Sequence, residues 1–244
     1  SVLFSGGGLA DFDGDGFLDA IFGADQFGKG FRAFKGAGGS WTEIPGPSSA
    51  KATNVGHFVF ADLDDDGDLD VFAFGEGSAV GLDVYVYRND GASFTEIANL
   101  AAGPPNQVNA DPVQGSVGDV NCDGALDIAA GGSIFLAQQN GSWTLAAQVD
   151  AAHISHLADM NGDGHLDLVT HDPTVGLALY HGDGSGTTFT PAAVGLPDAG
   201  YTYGGAAMDT AYGIDIADVG GDSALDIVRV AGFGPQFVIE VFFR

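Results

Sequence analysis

The sequence predicts an all-β fold, a β-propeller of five blades with mostly four antiparallel strands each, on three observations. An acidic nonapeptide recurs five times, starting at Asp11, Asp62, Asp119, Asp159 and Asp218, at intervals of 51, 57, 40 and 59 residues. Periods of this size mark arrays of repeated supersecondary units. Each nonapeptide runs straight into a short apolar segment (LDAIFG, LDVFAFG, LDIAAGG, LDLVTH, LDIVRVAG), too short for a helix and mostly closed by glycine. Asp90-Gly91 and Asn140-Gly141 then separate runs of strand periodicity, the strongest short hairpin signal.

The elements follow in one order through a single domain, 1–244, with approximate blades 1–50, 51–106, 107–149, 150–199 and 200–244. An apolar stretch leads into each acidic loop, as in NVGHFVFAD, HISHLAD and AYGIDIAD, and the segment after the loop is the second strand. Alternating runs such as LDVYVYRN and SIFLA make the third, and WTEIP, SFTEI, SWTLAA and TTFTPAA the fourth. The fifth blade has strands near 210–217, at LDIVRVAG and at QFVIEVFF, one fewer than the others. The acidic loop thus lies between the first and second strand of every blade. Seven blades would leave about 35 residues each, too few for four strands and a loop of this kind.

The first loop, DFDGDGFLD, sets Asp11, Asp13 and Asp15 at alternating positions, lets Gly16 turn the chain, and brings Asp19 back from the far side, with residue 17 offering its carbonyl. Carboxylates this close raise one another's pKa and push the segment open, so a cation is expected. Ca²⁺ takes six to eight oxygen ligands from flexible carboxylates and carbonyls. Four of the five loops match D-x-D/N-x-D-G-x-x-D in full. The fifth keeps Asp218, Asp222 and Asp226 but has Gly220 at the second ligand position and Ser223 in place of the turn glycine, so a weak or empty site is expected there. An EF-hand would need a bidentate Glu at position 12 between two helices. Position 12 holds Phe22, Ala73, Ala130, Thr170 and Arg229 instead.

The calcium loop followed by LDxxxG, with YRNDGASFTEI after it, resembles the FG-GAP/VCBS repeat found in integrin α-chain propellers, fungal propeller lectins and secreted bacterial proteins. The resemblance runs through almost the whole chain and implies calcium ligands in four loops: Asp11, Asp13, Asp15 and Asp19; Asp62, Asp64, Asp66 and Asp70; Asp119, Asn121, Asp123 and Asp127; Asp159, Asn161, Asp163 and Asp167. The carbonyls of Phe17, Asp68, Ala125 and His165 would complete the shells. About four Ca²⁺ sites are implied, and a fifth if the last loop is filled. Family members commonly have seven blades, a pattern from which this chain departs.

A formal charge of −26, with seven Lys and Arg against 33 acidic residues, excludes nucleic acid and anionic membrane surfaces as partners. About half of the acidic residues stand at ligand positions of the five loops. The remainder suits an extracellular or cell-surface setting, where millimolar calcium reaches loops of moderate affinity. No apolar run approaches the roughly 18 residues of a membrane span. Cys122 stands alone, a small residue at position 4 of its loop, and Asn140-Gly141-Ser142 is a glycosylation sequon on a hairpin turn. Trp41, Phe94, Trp143 and Phe189 recur at one place in their blades and read as packing anchors, with sugar stacking as the alternative.

No catalytic residue is assigned. His153, His156, His165 and His171 crowd the fourth blade, but strand residues three apart face opposite ways, so His153 and His156 do not chelate together. Gly6-Gly7-Gly8 precedes an acidic loop that repels phosphate. The expected function is therefore a secreted, calcium-binding recognition or adhesion module for a glycan or extracellular protein, and not an enzyme. Two alternatives stand beside it: a structural subunit that self-assembles, and a catalytic propeller such as a polysaccharide lyase. Self-assembly would use the apolar edge at 237–243, covered by a neighbouring subunit or by a short strand from Ser1 to Phe4.

Overall fold

The computed structural model describes residues 4–24, 31–44, 46, 53–76, 82–91, 93–102, 114–149, 152–172, 176–192, 196, 202–203, 206–207, 210–233 and 236–242. Every regular element among them is a strand. The chain divides into two compact units, Ser1–Val113 and Gln114–Arg244.

The first unit holds two blades. β1 (Phe4–Ala10), β2 (Asp19–Ala24), β3 (Phe31–Gly36) and β4 (Trp41–Ile44) form one antiparallel sheet in sequence order. β5 (Thr53–Ala61), β6 (Asp70–Glu76), β7 (Leu82–Asn89) and β8 (Phe94–Ala101) form the next. Val71, Phe72, Ala73 and Phe74 of β6 have no exposed surface, because this strand is covered on both faces and so reads as a continuous apolar run. The space between the two sheets is filled by Phe12, Ile21, Phe31, Val55, Phe58, Tyr85, Tyr87 and Phe94. Phe31 makes edge-to-face contacts with Tyr87 and Phe94, at centroid distances of 5.0 and 5.2 Å. β1 and β5 approach so closely that a Cβ on Gly6 would lie 2.3 Å from the Gly56 carbonyl oxygen. The Gly6-Gly7-Gly8 run is thus a packing requirement of the innermost strand.

The second unit holds three. β9 (Ser116–Gly118), β10 (Asp127–Ala130), β11 (Ser133–Ala137) and β12 (Trp143–Gln148) pair in order, as do β13 (Ile154–Ala158), β14 (Asp167–Asp172), β15 (Gly176–Gly182) and β16 (Phe189–Pro191). A short pair, β17 (Thr202–Tyr203) with β18 (Ala206–Ala207), precedes the three-stranded sheet β19 (Thr210–Ala217), β20 (Asp226–Phe233) and β21 (Gln236–Phe242). Val120, Ile134, Leu168 and Tyr180 fill the space between the first two sheets, and Ile154, Val169, Leu179, Ile214 and Ile227 that between the next two. Gln114 fastens the inner strands: its backbone bridges Ile154 and its Oε1 accepts the Ile214 amide at 3.0 Å.

The architecture is the all-β, five-bladed propeller expected, with fourth strands at the predicted segments and a fifth sheet of three. β17 and β18 were not anticipated, since two-residue strands leave no periodic signal. The predicted edge is β21, which pairs with β20. Phe4, offered as part of a covering strand, instead pairs with Ala24 in its own blade, while 1–3 and 243–244 lie outside the described residues.

Candidate metal-binding loops

All five acidic nonapeptides connect the first and second strands of their sheets and share one backbone plan. The carboxylate at position 1 accepts the amides of positions 5 and 6, at 2.8–3.2 Å: Asp11 from Asp15 and Gly16, Asp62 from Asp66 and Gly67, Asp119 from Asp123 and Gly124, Asp159 from Asp163 and Gly164, Asp218 from Asp222 and Ser223. The carboxylate at position 5 accepts the amide of position 7, from Phe17, Asp68, Ala125, His165 and Ala224. Mutual repulsion is therefore answered in part by the chain's own N–H groups, which the sequence reading did not credit. Those donors hold Asp15, Asp123 and Asp163 below the ordinary carboxylate range.

Position 9 has a second task. Asp19, Asp70, Asp127, Asp167 and Asp226 are buried, and Oδ2 of each accepts the amide of position 2 at 2.8–3.0 Å. In the first four, Oδ1 accepts an amide from the third strand: Gly36, Asn89, Ala137 and Gly182. One carboxylate thus clasps loop, second strand and third strand together. Burial pushes Asp19, Asp70 and Asp127 up, so a cation nearby favours their ionised form. A carboxylate has about four lone-pair sites, which leaves acceptor capacity for an ion beside the two amides.

Position 4 is also constrained. Gly14, Asp65, Cys122, Gly162 and Gly221 all have φ between 59° and 75°. Cys122 and Asp65 thus stand where glycine is preferred, and Ser223 adopts φ 73° at position 6. The sequence reading singled out position 6 alone. The signal for position 4 was present, since three of five loops have glycine there.

Two trios bring ligand oxygens within 4.8 Å of one another: Asp11, Asp13 and Asp15, and Asp62, Asp64 and Asp70. In the third and fourth loops an asparagine replaces one aspartate; Asn121 and Asn161 each donate Nδ2 to the position-5 carboxylate, Asp123 or Asp163, at 2.8 Å. Oxygen donors in clusters of three or more fit a hard divalent cation. Among the described residues no histidine joins such a cluster. His171 is buried, and burial lowers the pKa of His156. The first two loops adjoin: Asn89, buried in β7, donates Nδ2 to the Phe12 carbonyl at 2.6 Å, and the Leu69 amide reaches the same oxygen at 3.1 Å. Asp68 is raised by burial first and then by the charges around it, Asp13 of the neighbouring loop among them.

Two further features surround the loops. Lys35 of β3 places its ammonium against Asp13 Oδ2 and 3.2 Å from Asp15 Oδ2. Beside the third loop lies an open groove of about 780 Å³, bounded by Asn121, Asp123, Leu136, Gln138, Asn140 and Thr144 among others. The recurrent aromatics separate by burial. Phe94 and Trp143 are buried and Trp143 donates Nε1 to the Leu126 carbonyl, whereas Trp41 is 53% exposed.

The family described as the FG-GAP-like repeat matches residues 11–73, 62–130 and 159–228. The chain belongs to this family. Each match begins on the first aspartate of one loop, takes in the strands that follow and the next acidic loop, and ends in the second strand of that next loop's sheet. No curated protein matches the sequence. Among solved structures, the Vibrio cholerae biofilm matrix protein Bap1 is similar at 18% identity and a TM-score of 0.61, over 99% of this chain and 38% of that one. The chain thus spans well under half of that protein's length. The Aleuria aurantia lectin, solved as a point mutant in complex with Fucα1-6GlcNAc, is similar at 13% identity and a TM-score of 0.48, over 97% of this chain and 78% of the lectin. Among the described residues no helix is long and apolar enough to cross a membrane.

Proposed function

We propose that this FG-GAP-like propeller is an extracellular, calcium-binding recognition or adhesion module, not an enzyme, and that its ligand is a glycan. The observation that carries the reading is the groove beside the third loop. Its walls are rich in amide and hydroxyl groups (Asn121, Gln138, Asn140, Thr144), which exchange hydrogen bonds readily with sugar hydroxyls. Asn121 and Asp123 are at once groove wall and expected calcium ligands, so an ion at this loop would fix one side of the groove. Calcium would be held in the first four loops by the aspartates and asparagines at positions 1, 3, 5 and 9, with the carbonyls of Phe17, Asp68, Ala125 and His165 closing the shells. The reading is in keeping with the similarity of fold to Bap1, a biofilm matrix protein.

A glycan array probed with the purified protein in millimolar calcium, and again in chelator, tests this. The expected outcome is binding to a restricted set of glycans that is lost in chelator and weakened by Gln138→Ala. Binding to none, or binding indifferent to both chelator and Gln138→Ala, overturns the reading.

A further inference from the structure

The backbone amide that clasps the ninth aspartate of a loop comes from Gly36, Asn89, Ala137 or Gly182 in the first four blades. The residue just before it projects beside the loop, and it differs in every blade: Lys35, Arg88, Leu136 and His181. Arg88 turns away from its loop, donating Nε to Asp90 of the following hairpin at 2.9 Å. Leu136 carries no charge. His181 places Nδ1 3.2 Å from Asp167, the ninth aspartate. Lys35 alone of the four contacts two aspartates at the central ligand positions, 3 and 5, and the Asp13 side chain it pairs with is only 7% exposed.

We infer that Lys35 is a built-in competitor of the metal ion in the first loop, so that this loop fills only at higher calcium than it would without the ammonium. The inference rests on the reading of the loops as calcium sites. Lys35 sits on Oδ2 of both aspartates, and an ammonium and a Ca²⁺ ion repel each other at so short a range, so an entering ion either displaces Lys35 into water or binds beside it at a cost in affinity. Losing two partly exposed ion pairs weakens the site by roughly 2- to 30-fold. The arrangement also has a reason in the fold. The first two loops adjoin, with the charge of Asp13 felt at Asp68, and a tethered cation screens that junction when calcium is scarce. A propeller whose loops all saturate together would have one calcium threshold; this one has at least two, the upper set by a side chain of the first blade.

The test uses the full chain and Lys35→Met, with Lys35→Arg as the charge-preserving control. Calcium is titrated in chelator-buffered solution while the position-6 amides of Gly16, Gly67, Gly124 and Gly164 are followed by ¹⁵N NMR, since each donates to the first aspartate of its own loop. In Lys35→Met the Gly16 midpoint moves to lower calcium by roughly 2- to 30-fold while the other three stay in place, and Lys35→Arg keeps the wild-type value. Elemental analysis at one free calcium between the two midpoints gives an independent readout, with one more ion per chain in Lys35→Met than in the wild type. An unmoved Gly16 midpoint and equal ion counts overturn the role of Lys35 while leaving calcium binding intact. If no amide responds and no ion is carried by any variant, calcium binding itself has failed.

Discussion

At the residue scale, the loops are governed by where carboxylates and left-handed backbone fall. Position 4 takes φ near 60–75° in all five loops, a conformation costing a side-chain-bearing residue about 1–2 kcal/mol, against which glycine loses roughly 0.5–1 kcal/mol of chain entropy. Cys122→Gly and Ser223→Gly should therefore each stabilise the protein by up to about 1 kcal/mol, or roughly 2–4 °C in the melting temperature. Asp65→Gly should gain less, because Asp tolerates this region better. Scanning calorimetry of the three variants decides the order, and a loss of stability in Cys122→Gly contradicts it. A second comparison separates ligand from scaffold. Asp64→Ala removes a member of a converging ligand trio, whereas Asp222 lies in a loop with glycine at the second ligand position. Asp64→Ala should abolish one equivalent of bound calcium by elemental analysis, and Asp222→Ala should leave the count unchanged. Most of this was legible in the sequence, since spacing alone picks out the aspartates. The amide clasp at position 9 was not, because its second donor lies 10 to 19 residues further on, in another strand.

At the element scale, strands were readable wherever burial alternates or is complete, as in β6 and β7, and where a Gly-containing turn separates them. Chemistry between strands was harder to read. In the sequence Arg229 is one of five position-12 residues that rule out an EF-hand, and Glu240 lies inside the apolar edge at 237–243. They sit opposite each other on β20 and β21, with Arg229 Nε 2.9 Å from Glu240 Oε2 and the guanidinium 5.5 Å from the Phe242 ring centroid. Arg229 is 1% exposed. Removing one partner of a buried pair costs about 3–5 kcal/mol, because the remaining charge loses its partner where water cannot replace it. Glu240→Ala should accordingly destabilise the protein by about 3 kcal/mol in denaturant unfolding. Arg229→Met with Glu240→Leu should recover most of that loss. A Glu240→Ala protein as stable as the wild type would mean that the pair contributes little to the fifth sheet.

At the scale of the whole molecule, the five loops concentrate negative charge that the backbone amides answer only in part. A ligand that binds the folded chain and not the unfolded one stabilises it by mass action, about 2.7 kcal/mol at a hundred times its dissociation constant for each independent site. Chelation should lower the melting temperature substantially, by calorimetry with and without chelator. An unchanged transition, with no metal by elemental analysis, refutes a structural role for calcium. A crystal structure grown in calcium should show metal–oxygen distances of about 2.3–2.6 Å, and distances near 2.0–2.1 Å would point to magnesium.

The sequence by itself determined the strand class, the blade count and the positions of the acidic loops. These are written in local periodicities of two, nine and about fifty residues, and neighbouring residues suffice to express them. Only the tertiary structure decided which charges meet. Lys35 on Asp13 and Asp15, Arg229 with Glu240, and Asn89 on the Phe12 carbonyl all join residues 11 to 77 positions apart. The physical reason is that such contacts depend on strand register and on the approach of one sheet to the next, and these are settled by packing large apolar side chains over the whole unit, not by the local order of residues.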